Sequence, residues 1–144
     1  MSKDIGIILA SHGDFAQEAL NSLEMIVGKQ ENVETLALNP GEDLGDLVDK
    51  MNAAYARLDK ECGVLIICDI FGGTPSNAAT TLLITHATDQ IAAYSGLNLP
   101  ILLELSSNRK QGFEKVKQLI EETASYCWVE LKRKEEKQEL EGDL

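Results

Sequence analysis

Gly63-Val-Leu-Ile-Ile-Cys-Asp69-Ile-Phe-Gly-Gly-Thr-Pro-Ser-Asn-Ala-Ala79 is the stretch around which the rest of the chain is organised. Its apolar run, Val64 to Cys68, is too short for a core helix and suits a strand buried on both faces. Asp69 then closes an interior strand, at the edge where open α/β sheets keep their chemistry. The double glycine Gly72-Gly73 is followed by Thr74-Pro75, which reads as a helix start with Thr74 as the cap and Pro75 in the first helical position.

Upstream, Ile5 to Ser11 is a second continuous apolar run, read as the first strand, ending in Ser11-His12-Gly13. From Asp14 the period changes. Phe15, Ala19, Leu20, Leu23, Ile26 and Val27 share one helical face, so a helix is expected from Phe15 to Val27. Asp14 with Gln17 is expected to form a capping box there, and Gly28 to stop the helix. Val33 to Leu38 reads as a strand closed by Asn39-Pro40-Gly41, and the spacing of Leu44, Leu47, Val48, Met51, Ala54, Tyr55 and Leu58 gives a helix from about Asp43 to Leu58.

Downstream of the opening stretch, Ala78, Ala79, Leu82 and Leu83 give the third helix a small, close-packing face. Ile91 to Tyr94 is a fourth strand, Ser95 to Pro100 a loop, Ile101 to Leu105 a short helix, and Phe113, Val116, Leu119 and Ile120 mark a helix ending near Thr123. Tyr126 to Leu131 is aromatic and β-branched and reads as a last, antiparallel strand at a sheet edge, either the chain's own or a neighbouring subunit's. Residues 1–131 are thus expected to form one domain and residues 132–144 a charged tail without an apolar face. Repeated strand–helix units with short connections imply a three-layer α/β sandwich, with helices on both faces of a mostly parallel sheet. In a small doubly wound sheet of order 2-1-3-4, strands one and three meet at the switch point.

The balance of 24 acids against 13 bases, a net charge of -11, argues against nucleic acid or anionic lipid and favours a partner with a basic face. The three cysteines, Cys62, Cys68 and Cys127, have no metal or redox spacing and read as buried thiols in a reducing compartment. No secretory leader or long apolar span is visible, so a cytoplasmic protein is expected.

With strands one and three adjacent, His12 and Asp69 face one crevice. A carboxylate that holds one imidazole N–H leaves the other ring nitrogen exposed as a nucleophile, and it stabilises the cationic ring formed when that nitrogen takes a substituent. Gly72, Gly73 and Thr74 lead into a helix N-terminus that favours an anion such as phosphate, and Gly13 offers a second such surface. Either residue alone is an ordinary loop former; together at a switch point they read as a histidine that accepts a phosphoryl group. His86, at a helix end, reads as dipole complementation, and Tyr55 and Trp128 as core or interface residues.

Ala10-Ser11-His12-Gly13, Gly28-Lys29-Gln30-Glu31-Asn32-Val33, Asn39-Pro40-Gly41-Glu42-Asp43, Asp69-Ile-Phe-Gly-Gly-Thr-Pro-Ser-Asn-Ala-Ala79 and Gly96-Leu97-Asn98-Leu99-Pro100, in this order, resemble the IIA component of the mannose family of the sugar phosphotransferase system. The resemblance spans residues 5–131. It implies a phosphoryl carrier in which His12 takes a phosphoryl group on Nε2 from the histidine-containing phosphocarrier protein. The group then passes to a IIB component, and the membrane IIC and IID components are served indirectly during sugar uptake. It further implies that Asp69 holds the other ring nitrogen, that Thr74 contacts the phosphate, that no cofactor or metal is required, and that the chain forms a homodimer exchanging its C-terminal strand. Phe71 departs from the tryptophan also found at this place, which makes it a docking residue outside the chemistry. The chain stops at Leu144, so IIB is expected as a separate chain.

Rival readings are a phosphocarrier subunit for dihydroxyacetone kinase, a flavin-binding module, a metal chelatase and a response-regulator receiver. The intact Phe71-Gly72-Gly73-Thr74-Pro75 segment favours the sugar transporter branch over the first. The receiver needs acids after strand one, where Ser11-His12 stand instead. The transported sugar is not encoded in these motifs.

Overall fold

The computed structural model describes residues 4–133. The elements run β1 (Gly6–His12), α1 (Phe15–Val27), β2 (Val33–Leu38), α2 (Leu44–Arg57), β3 (Val64–Cys68), α3 (Thr74–Thr85), β4 (Ile91–Ser95), α4 (Leu99–Ser107) and α5 (Phe113–Ala124). The strands pair in the order β2-β1-β3-β4, every pairing parallel, as the sequence leads one to expect.

The apolar runs of β1 and β3 are explained by the two cores they separate. Ile7, Leu9, Leu65 and Ile67 point to one side and pack with Ala16 and Leu23 of α1, Ile101, Leu102 and Leu105 of α4, and Val116 and Ile120 of α5. Ile8, Ala10, Val64, Ile66 and Cys68 point to the other and pack with Leu47, Met51 and Ala54 of α2 and Ala78, Ala79 and Leu82 of α3. A strand covered on both faces has no polar alternation to show. Burying each such Ile or Leu is worth about 1.5–3 kcal/mol.

Four local expectations need correction. Asp14 makes no capping bond to α1. The Ala16 N–H instead donates to Ser11 Oγ at 2.7 Å, because that fully buried hydroxyl reaches the helix start from inside. The cap of α3 is Gly73, not Thr74, whose residue already lies inside the helix. Tyr126 to Leu131 forms no strand in the single chain, and Trp128 is 98 % exposed. The physical reason is that β-propensity measures fit to a paired, half-buried surface, and this segment pairs with no strand among the described residues. Of the cysteines only Cys68 is buried. Residues 134–144 of the charged tail lie outside the described residues.

The α2 cap, in contrast, is a reciprocal box: Asp43 accepts from the Asp46 N–H, and Asp46 accepts from the Asp43 N–H, both at 3.0 Å. At the end of the sheet away from these caps, buried Arg109 donates to the Ile5 and Asn32 carbonyls. It thereby ties the approach to β1 to the loop before β2.

Candidate functional site

His12 is the last residue of β1, and Asp69 is the first after β3, its N–H donating to the Ala10 carbonyl at 3.2 Å. The order of the sheet makes these strands neighbours, so two residues separated by 57 positions meet. A single carboxylate oxygen, Asp69 Oδ2, accepts both the His12 backbone N–H at 2.9 Å and the His12 ring at Nδ1 at 2.7 Å. The other oxygen accepts the Ile70 N–H at 2.9 Å.

Burial pushes the Asp69 carboxyl up, but the hydrogen bonds from the His12 backbone, the His12 ring and the Ile70 backbone outweigh it and hold the group below its ordinary value. An ionised carboxylate only accepts, so Nδ1 is the donor of this bond, and in the neutral ring Nε2 is the nitrogen that carries the lone pair. The His12 side chain is 49 % exposed and that of Asp69 10 %: the imidazole is accessible while the carboxylate that holds it is covered.

Gly73 completes one wall. A Cβ placed on it would stand 3.0 Å from His12 Cε1, so the glycine lets the imidazole lie against the loop that opens α3. Thr74 follows at the first helical position, where backbone N–H groups have no intrahelical acceptor. The other two expected phosphate-binding residues are engaged differently. The Gly13 N–H donates to the Leu38 carbonyl at 2.9 Å, and the Gly72 N–H to Ser76 Oγ at 2.9 Å. The residues flanking the site are apolar and open: Phe71 is 90 % exposed, with Ile70 and Phe15 about half exposed.

His86 caps the C-terminal end of α3, away from this site. Its ring stacks on Tyr55 at 4.5 Å and its Nδ1 lies 3.4 Å from Asp89 Oδ2, which in turn accepts the Tyr55 hydroxyl at 2.7 Å. That pair stands at a helix C-terminus, where the dipole disfavours an anion, so it lacks a phosphate seat. Among the described residues no group of three or more His, Cys, Asp or Glu is placed to hold a metal ion. Ser76 carries no signal of its own in the sequence, since a serine in a first helical turn is common.

The fold and the site together define a doubly wound α/β protein with an oriented, solvent-facing histidine at its switch point. The family model described as PTS system fructose IIA component (EIIA-man) matches residues 6–124, and the chain belongs to that family. It is similar to the mannose-specific EIIAB component of Escherichia coli K12, 39 % identical over 100 residues, covering 69 % of this chain and 30 % of that protein's length. The fructose-specific EIIA component of Bacillus subtilis is 39 % identical over 106 residues, covering 74 % and 71 % of the two chains. The crystal structure of the PTS IIA protein associated with the fucose utilization operon of Streptococcus pneumoniae superposes with a TM-score of 0.76 at 32 % identity, covering 95 % and 96 %. Among the described residues no helix is long and apolar enough to cross a membrane.

Proposed function

We propose that this chain is a phosphoryl carrier of a sugar phosphotransferase system, with His12 Nε2 as the acceptor atom. The observation that carries the proposal is the 2.7 Å hydrogen bond between His12 Nδ1 and Asp69 Oδ2, which engages one ring nitrogen with the carboxylate and leaves the other, on a half-exposed ring, for the phosphoryl group. The donor is the phosphorylated histidine-containing phosphocarrier protein and the recipient a IIB component. In transfer, the bond from phosphorus to the donor nitrogen breaks as the bond to Nε2 forms, and the positive charge left on the ring is balanced by Asp69. Such a reaction depends on in-line placement and charge stabilisation more than on proton transfer.

Gly73 and Thr74 seat the phosphoryl oxygens at the start of α3, with Gly13 and Gly72 shaping the surrounding turns. The connecting loops at this edge, residues 12–14, 39–43, 69–73 and 96–98, contain no Lys or Arg. The remaining negative charge is therefore met by cations on the docked partner, whose apolar surface covers Phe71 and Ile70. The protein works in the cytoplasm as a homodimer, in which Tyr126 to Leu131 pairs with the exposed edge strand β4 of a second copy.

The test is incubation with phosphoenolpyruvate, enzyme I and the phosphocarrier protein. Acid-labile phosphate is expected on His12 and is expected to vanish in His12→Ala. Label persisting in that variant refutes the assignment.

A further inference from the structure

The loop before α3 is held at both ends by side chains. At its start Asp69 Oδ1 takes the Ile70 N–H at 2.9 Å. At its end the Ser76 hydroxyl bridges the two glycines, accepting the Gly72 N–H at 2.9 Å and donating to the Gly73 carbonyl at 3.1 Å. Gly72 sits at φ +83°, and a pair of glycines has more backbone freedom than any other pair. Gly73 nevertheless has to occupy one place, because it is the surface against which the His12 ring lies. No other side chain among the described residues bonds the backbone of residues 71–73.

We infer that Ser76 is a positioning residue for phosphoryl transfer, which acts by locking the Gly72–Gly73 loop against the imidazole of His12. The inference rests on the transfer reaction proposed above. It has two physical consequences. The Gly73 carbonyl also accepts the Asn77 N–H at 3.0 Å, so loss of the hydroxyl frees chiefly the Gly72 end of the pair, and Nε2 and the first amides of α3 keep a less fixed relation. The bond also withdraws the Gly72 N–H from the anion seat, which leaves Gly73 and Thr74 as its donors. Ser76 touches neither reacting nitrogen, so its removal is expected to act on the rate of the chemical step and not on docking.

The experiment compares wild type, Ser76→Ala and Ser76→Thr, all checked for a native circular dichroism spectrum. Two quantities are read: steady-state phosphorylation by the phosphocarrier protein, and hydrogen exchange of the Gly72 amide by NMR. For Ser76→Ala, kcat is expected to fall about tenfold with KM within about twofold of wild type, in line with the sensitivity of transfer to small displacements. Gly72 exchange is expected to rise by about tenfold, the loss of roughly one hydrogen bond's stability. Ser76→Thr, which keeps the hydroxyl, is expected to recover both. A wild-type kcat in Ser76→Ala, a change confined to KM, or a threonine variant no better than alanine overturns the inference. Should wild type accept no phosphoryl group, the functional reading itself fails. Gly72 exchange then decides the role of Ser76 alone: unchanged exchange in Ser76→Ala overturns it, and faster exchange restored by threonine upholds the lock.

Discussion

Replacing Asp69 by asparagine keeps the shape of the site and removes its charge, and the size of the effect follows from the geometry. In the proposed transfer His12 gains a phosphoryl group and its ring becomes cationic, with Asp69 Oδ2 2.7 Å from Nδ1. Two unit charges centred about 4 Å apart attract by about 4 kcal/mol at an effective dielectric of 20 and by about 1 kcal/mol in water. His12 is half exposed, which places the pair between these limits. A loss of about 2 kcal/mol corresponds to a roughly 30-fold slower transfer. Asparagine also presents an amide N–H₂ that competes for the same face of the ring, so a share of the molecules will carry the proton on Nε2. The assay is rapid-quench phosphorylation by the phosphocarrier protein, paired with ¹⁵N NMR of the His12 ring to read the tautomer. A transfer rate within about threefold of wild type, with the tautomer unchanged, would show that the carboxylate does not orient and stabilise the ring as argued.

The same substitution should change the response to acid. The Asp69 carboxyl is held below its ordinary value in the folded protein, so its contribution to stability is complete above the unfolded value of about 4 and disappears as pH falls through the folded one. Thermal denaturation should therefore show wild type more stable than Asp69→Asn at pH 7, with the gap closing below about pH 4; a constant gap contradicts the linkage. Gly63→Ala places a Cβ 2.5 Å from Phe113 Cδ1 at a φ of +90°, and should cost about 2–4 kcal/mol in urea denaturation. The Cys68 thiol, pushed up to about 12 by burial and then by the Asp69 charge, should resist iodoacetamide at pH 8 in the native protein. Mass spectrometry of the alkylated chain should find it unmodified there and modified after unfolding.

Much of the fold was legible because the controlling signals are local. The continuous runs Ile5 to Ser11 and Val64 to Cys68 announce strands covered on both faces, and the periods of α1, α2 and α5 announce helices packed on one side. The meeting of His12 with Asp69 was legible at second hand, through the strand order. The misses are tertiary. The cap of α1 passed from Asp14 to Ser11 because only the folded turn brings a buried hydroxyl under the helix start. Tyr126 to Leu131 carries a strand composition that its own chain leaves unpaired. Arg109, a lone arginine between two helices, gave no hint that it would be buried against a carbonyl 104 residues away. Ser76 was invisible for the same reason: what matters is the glycine pair it holds.

The backbone at His12 is held on both sides. Its own N–H belongs to Asp69, and the next one, of Gly13, belongs to the last carbonyl of β2. The histidine is therefore mounted on a rigid post at the middle of the sheet, free to do little more than tilt its ring. For the transfer proposed above, such a mounting implies a low reorganisation cost in either direction, because the backbone that carries the ring is already fixed. Donor and recipient in that transfer would then meet one and the same perch, and the travelling would fall to them.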